Sequence, residues 1–215
     1  MNSTVGERWI PFVCKIALYL WLVYFFLQAA TAFHEYTPGR AWPFMLSVIR
    51  TFTFLPLHEG GHFLFMFFGR TLHILGGSFW QIMFPLLWFV IAARQRSHVA
   101  PFPLFWVGEN MMDVSLYMRD APLRWLPLLG GHSSQHDWYN LFSQWNLLDS
   151  SDTFADLFYY GGSLLALGAI VAGIGLAFVS FLNSPPPRSP KGIAEPSSAM
   201  EDSLDLTIRG KDSPF

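Results

Sequence analysis

Cysteine and charge are what this chain has least of. Cys14 is the only cysteine among 215 residues and sits in an apolar run, which excludes both a disulfide framework and a cysteine metal site. Charged residues make up 13% of the sequence, about half of the ~25% usual in soluble domains. The formal net charge of −2 offers no basic footprint, so no nucleic-acid partner is expected. Apolar residues fill the gap: the chain is 52% hydrophobic, with 22 Phe and 9 Trp. Aromatics in such number suit lipid-facing surface and interfacial belts and imply no cofactor. The composition argues against a soluble enzyme and for a polytopic membrane protein embedded in a lipid bilayer.

Five apolar runs follow one another, at about 9–32, 42–68, 72–93, 99–118 and 154–182. The first is too long for a signal peptide and lacks a small-residue cleavage site, so it reads as a retained transmembrane helix. Each run approaches the ~20 residues that cross a bilayer. The expected fold is therefore all-α, a polytopic membrane helical bundle with about five transmembrane segments. Residues 1–182 form the membrane-embedded helical domain. Residues 183–215, opening on Pro185-Pro186-Pro187, form a polar tail of disordered composition. In the second run Arg50 is placed to snorkel towards the interface, and Pro56 to bend the helix. Gly76-Gly77-Ser78 and Pro85 predict irregular backbone in the first half of the third. Gly161, Gly162, Gly168, Gly173 and Gly175 predict close packing of the fifth.

The chemistry gathers in the second run, where His58-Glu59-Gly60-Gly61-His62 is an H-E-x-x-H sequence. On a helix, histidines at i and i+4 project from one face and can grip one divalent metal. The glutamate beside them can take a proton from water. The glycine pair leaves room for a neighbouring backbone or a substrate. Gln81 in the third run and Asp113 in the fourth fall at the same depth as the motif. With a rise of 1.5 Å per residue, that depth is roughly 8–18 Å below one membrane surface. Polar groups from three segments at one level point to a shared site, because an isolated charge there costs about 2.5–3.5 kcal/mol. Asp113 is the expected third ligand, or else a structural partner for Arg119. Glu109, Asn110 and Gln81 are candidates for holding substrate or supporting the ligands. The loop after the fourth run emerges on the same side as the motif and carries His132, His136 and Asp137. His136 and Asp137 are the alternative third ligands, provided that the loop folds down into the membrane mouth.

An H-E-x-x-H inside an apolar segment, followed two segments later by an intramembrane Asp, resembles the site-2 protease family of intramembrane zinc metalloproteases. The likeness covers about a third of the chain. It implies Zn2+ held by His58, His62 and Asp113, with Glu59 as the general base and a membrane protein as substrate. The aspartate has a different setting here: family members usually carry it next to Gly, often after Asn-Pro, whereas this chain reads Glu109-Asn110-Met111-Met112-Asp113-Val114. The stretches HEGGH, GGSFWQ, DVSLYMRDA and HDW also look like a group of uncharacterised bacterial membrane proteins classed with such peptidases. That likeness implies a multi-pass protein of the bacterial inner membrane.

The expected activity is hydrolysis of peptide bonds in membrane-spanning substrates by metal-activated water. Two other functions fit parts of the pattern. The pairs His58/His62 and His132/His136 suggest a membrane di-iron oxygenase, although such sites use about eight histidines and this chain has seven. A non-catalytic metal-binding membrane protein or transporter would use Glu59 as a ligand, whereas hydrolysis requires it free as a base.

Overall fold

The structure is a computed structural model, and it describes residues 5–34, 41–126 and 136–184. Almost all of them are helical, and no strand occurs among the described residues. Helix α1 spans Val5–His34 and α2 spans Phe44–Ile49. The chain then passes through a π-helical turn, Arg50–Phe54, into α3, Leu55–Phe65, and a 3-10 turn, Met66–Phe68. Next come α4 (Arg70–Arg94), α5 (Pro101–Arg119), the short α6 (Asp137–Trp145) and the long α7 (Ser151–Leu182). The polar tail beyond residue 184 lies outside the described residues, as does His132.

Three stretches are long and apolar enough to cross a membrane: Trp9–His34, Arg70–Arg94 and Leu148–Leu182. Their outer faces carry exposed Leu, Val, Ile and Phe, among them Leu20, Ile91, Leu164 and Val171. Apolar surface on that scale is paired with lipid or protein, not with water. Helix α5 differs for a physical reason. It is the buried helix of the bundle, with Glu109, Asn110 and Ser115 all fully buried. Its polar residues meet protein, so its composition need not be that of a lipid-facing helix.

The π turn follows from Pro56. Proline has no N–H, and its ring crowds the carbonyl four residues back, here that of Phe52. The helix widens immediately before it, where the Leu55 N–H bonds to the Arg50 carbonyl five residues back. A single glycine reverses the chain into α4: Gly69 has φ +89°, a conformation that side chains resist.

Helix α4 runs unbroken through Gly76-Gly77-Ser78 and Pro85, contrary to the irregular backbone that these residues predict. The glycines serve the neighbouring helix instead. A Cβ on Gly61 would lie 2.1 Å from the Gly76 carbonyl oxygen, so α3 and α4 touch backbone to backbone. On the far side of the bundle Gly108 and Gly162 do the same for α5 and α7, and Tyr19 of α1 packs on Gly173. Gly168 and Gly175 have nothing within 4 Å, so only part of the glycine pattern in α7 serves packing. The main apolar core, with Leu22, Phe25, Phe33, Phe105 and Met112, lies among these last three helices.

Candidate metal centre

Helix α3 sets His58 and His62 one turn apart, and their Nε2 atoms approach to 3.1 Å. Helix α6 brings Asp137 against them. Its Oδ2 lies 2.9 Å from His58 Nε2 and 3.1 Å from His62 Nε2. Among the described residues these three form the group whose donor atoms can converge on one metal ion. Zinc holds such donors at about 2.0–2.1 Å in a tetrahedron, which spaces them by roughly 3.3 Å. A slight outward movement of the three side chains would seat it. Two nitrogens and one carboxylate oxygen also suit zinc chemically.

The other ring nitrogen of each histidine is engaged. His62 Nδ1–H donates to the His73 carbonyl at 2.8 Å, and His73 Nδ1–H donates back to the His62 carbonyl at 2.9 Å. His58 Nδ1 faces Gln81 Oε1 at 3.1 Å. Carbonyl acceptors at Nδ1 hold both rings in the tautomer that leaves the Nε2 lone pair for an ion, the usual arrangement behind metal-ligating histidines. Gly77 makes the room. A Cβ there would lie 2.6 Å from His62 Nε2 and 2.8 Å from His58 Nε2.

Asp137 is held by the way α6 docks. Trp138 Nε1–H donates to Ser78 Oγ of α4 at 3.0 Å, and the Asp137 main-chain N–H donates to the Tyr117 hydroxyl of α5 at 3.2 Å. Burial works against charge on Asp137, but in the ion-free centre the imidazoles of His58 and His62, within hydrogen-bond reach at Nε2, outweigh it and hold the carboxyl below its ordinary value; an ion would take the place of those Nε2 protons.

The remaining candidates are placed as follows. Asp113 stands apart from the converging group. Arg50 N–H donates to its Oδ1, and Gln81 Nε2–H donates to its Oδ2 at 2.8 Å. Arg50 therefore turns inward instead of snorkelling, with its guanidinium 4.9 Å from the Trp42 ring centre. Arg119 pairs with Asp156 at 2.7 Å and not with Asp113. His136 is fully buried and uses both nitrogens, donating from Nε2 to Asp120 at 3.1 Å and accepting at Nδ1 from the Tyr139 N–H. It caps α6 and so aims its neighbour Asp137. Asn110 donates to the Trp106 carbonyl at 2.7 Å. Both carboxyl oxygens of Glu109 are buried without a hydrogen-bond partner among the described residues.

A cavity of about 780 Å³ opens beside the three donors, lined among others by Trp42, Phe54, Glu59, Tyr117 and Asn140. Neither Glu109 nor Asn110 lines it. Glu59 is exposed there and has no hydrogen bond or ion pair among the described residues. A base next to a cation site, with space for a ligand, can activate water. The roles of Arg50, His73 and Tyr117 are invisible to motif reading. A hint of His73 lay in its position just past the Gly69 reversal, which folds α4 back along α3. No family model matches the chain, and comparison with curated proteins and with solved structures returns no match.

Proposed function

We propose that this chain is a multi-pass intramembrane zinc metalloprotease, with His58, His62 and Asp137 as metal ligands and Glu59 as general base. The observation that carries the reading is the approach of two imidazole Nε2 atoms and one carboxylate oxygen to within 3.1 Å of one another. It is supported by the cavity beside them and by Glu59 in its lining, which has no hydrogen bond or ion pair among the described residues. Zinc held there would supply a Lewis acid and bring water towards a pKa near 7. Glu59 takes the water proton and hands it to the leaving amine. Gly60, with nothing within 4 Å of a Cβ, leaves the helix bare next to Glu59, and the cavity, lined by polar groups together with Trp42, Phe54 and Leu55, suits a locally unwound stretch of a substrate helix. Helix-breaking residues in the substrate should therefore favour cleavage.

On this reading the chain crosses the membrane five times. The helical path through residues 44–68 and helix α5 join the three apolar helices, and α5 keeps Glu109, Asn110 and Asp113 against protein. The sequence likeness to bacterial peptidases favours the inner membrane. Reporter fusions at the two termini should give opposite sidedness, and equal sidedness would sink the five-span topology.

The deciding measurement is metal content and hydrolysis for the purified protein and its Glu59→Gln variant. The expected result is one zinc per chain in both, with cleavage of a helical substrate lost by about 10²–10⁴-fold in the variant. Two irons per chain would instead favour an oxygenase. Loss of the ion with Glu59→Gln would favour a transporter that uses Glu59 as a ligand, and no metal at all would leave a scaffold.

A further inference from the structure

We infer that Arg50, Asp113 and Gln81 form a positioning relay behind His58, through which Asp113 governs metal affinity without touching the ion. The inference rests on the metal centre proposed above and adds a function for residues outside it.

The relay is a directed chain of hydrogen bonds. The Arg50 guanidinium fixes one oxygen of Asp113, and the other oxygen accepts from Gln81 Nε2–H at 2.8 Å. That bond orients the Gln81 amide, because a carboxylate can only accept. With its NH2 end committed to Asp113, Gln81 presents Oε1 to His58 Nδ1 at 3.1 Å. With an ion in place His58 then keeps its proton on Nδ1, donated to Gln81, and Nε2 offers the lone pair that a metal requires. Gln81 is 1% and Asp113 7% exposed, so little of either is open to competing water although both line the cavity. The charges also balance. Arg50 neutralises Asp113, which leaves Asp137 as the carboxylate that offsets the ion.

Without the carboxylate the amide is free to turn over. Its NH2 end would then face His58 and favour the tautomer with the proton on Nε2, where it blocks the ion. Gln81→Met removes the acceptor while leaving the Arg50–Asp113 pair intact. Asp113→Asn permits the turned amide. The double variant Gln81→Glu with Asp113→Asn exchanges the two chemistries: a carboxylate faces His58 and an amide donates to it, so the acceptor at Nδ1 returns.

The test is titration of the full-length, metal-free protein in detergent with Co2+ and Zn2+, reading affinity by competition with a chelator and the ligand set from the cobalt absorption bands. Gln81→Met and Asp113→Asn should each keep one ion and the wild-type cobalt spectrum, with affinity lowered about 10–100-fold. Gln81→Met with Asp113→Asn should bind no more weakly than the weaker single variant, because both act through one link. The carboxylate–amide exchange should recover most of the lost affinity. A changed cobalt spectrum or a lost ion in Asp113→Asn would make Asp113 a ligand and overturn the relay. Unchanged affinity, additive losses or no recovery in the exchange variant would overturn it as well. A wild-type protein that takes up no ion would remove the metal centre and the relay together. A wild-type centre indifferent to these substitutions would remove the relay alone.

Discussion

The two glycine-lined seams of this molecule are built alike and serve different ends. Between α5 and α7, a Cβ on Gly108 would meet the Gly162 carbonyl oxygen at 2.4 Å, and one on Gly162 would meet that of Gly108 at 2.6 Å. Buried apolar residues flank this seam, including Ala166, Ala169 and Met112. Between α3 and α4 the approach of Gly61 to Gly76 is as close, yet Gly77 beside it lies under two imidazoles. Small residues let helices approach closely in both places. The first seam spends that closeness on packing alone. The second uses it to bring His58 within reach of Gln81 and His62 within reach of the His73 carbonyl.

The comparison breaks most completely at Asp137. Asp137→Ala should lower metal affinity by more than the ~100-fold ceiling for a supporting residue, while leaving the α5–α7 seam and the melting temperature nearly unchanged. Chelator competition together with a thermal melt reads both quantities.

Gly77→Ala should separate the seams next. The added methyl displaces both imidazoles, so affinity should fall by about 10-fold or more, as for lost support of a ligand. The substitution also improves helix propensity by up to about 1 kcal/mol, so the melt should not fall. A lower melting temperature with full affinity would show that Gly77 serves packing only.

Gly162→Ala is the mirror experiment. Its methyl meets the Gly108 carbonyl and Met111 Cβ, which cannot move aside cheaply. Overpacking of this kind costs about 1–3 kcal/mol. The melting temperature should drop while the affinity of the folded protein for the ion stays within about twofold, a margin set by the independence of distant sites.

The smallest effect belongs to Gly60→Ala. It lies between the histidines, but nothing comes within 4 Å of a Cβ there. Metal uptake should be unchanged, and stability should rise by no more than about 1 kcal/mol. Any fall in cleavage of a helical substrate would then report a clash with the bound substrate itself.

How much of this could be read from residues alone differs between the seams. The helices were legible: runs of apolar residues placed α1, α4 and α7 to within a few positions, because span length is a one-dimensional property. The histidine pair was legible too, since i and i+4 are neighbours on any helix. Asp113 and Asp137 illustrate the limit. Depth along the chain ranked Asp113 first, but depth is only one coordinate. Rotation of α5 turns Asp113 towards Arg50 and Gln81, and the docking of α6 through Trp138 and Ser78 brings Asp137 to the histidines. Neither rotation nor docking leaves a periodic trace in the sequence. Gly76 and Gly77 suggested broken backbone because their partner, the face of α3, could not be seen.

For the metal centre proposed above, the short helix α6 has a consequence for how fast an ion would come and go. Two legs of the tripod stand on α3 and cannot separate, whereas the third is delivered by a nine-residue helix pinned through Trp138 and Tyr117. Affinity is then set by the donors, but residence time is set by how often α6 lifts. Each lift turns a three-toothed grip into a two-toothed one, and the effective concentration of the returning carboxylate decides whether the ion is recaptured. Trp138→Phe, which removes the N–H anchor to Ser78, should therefore speed exchange of bound cobalt for zinc while leaving the cobalt spectrum as it was. The rate of metal exchange becomes a clock for the movement of one helix.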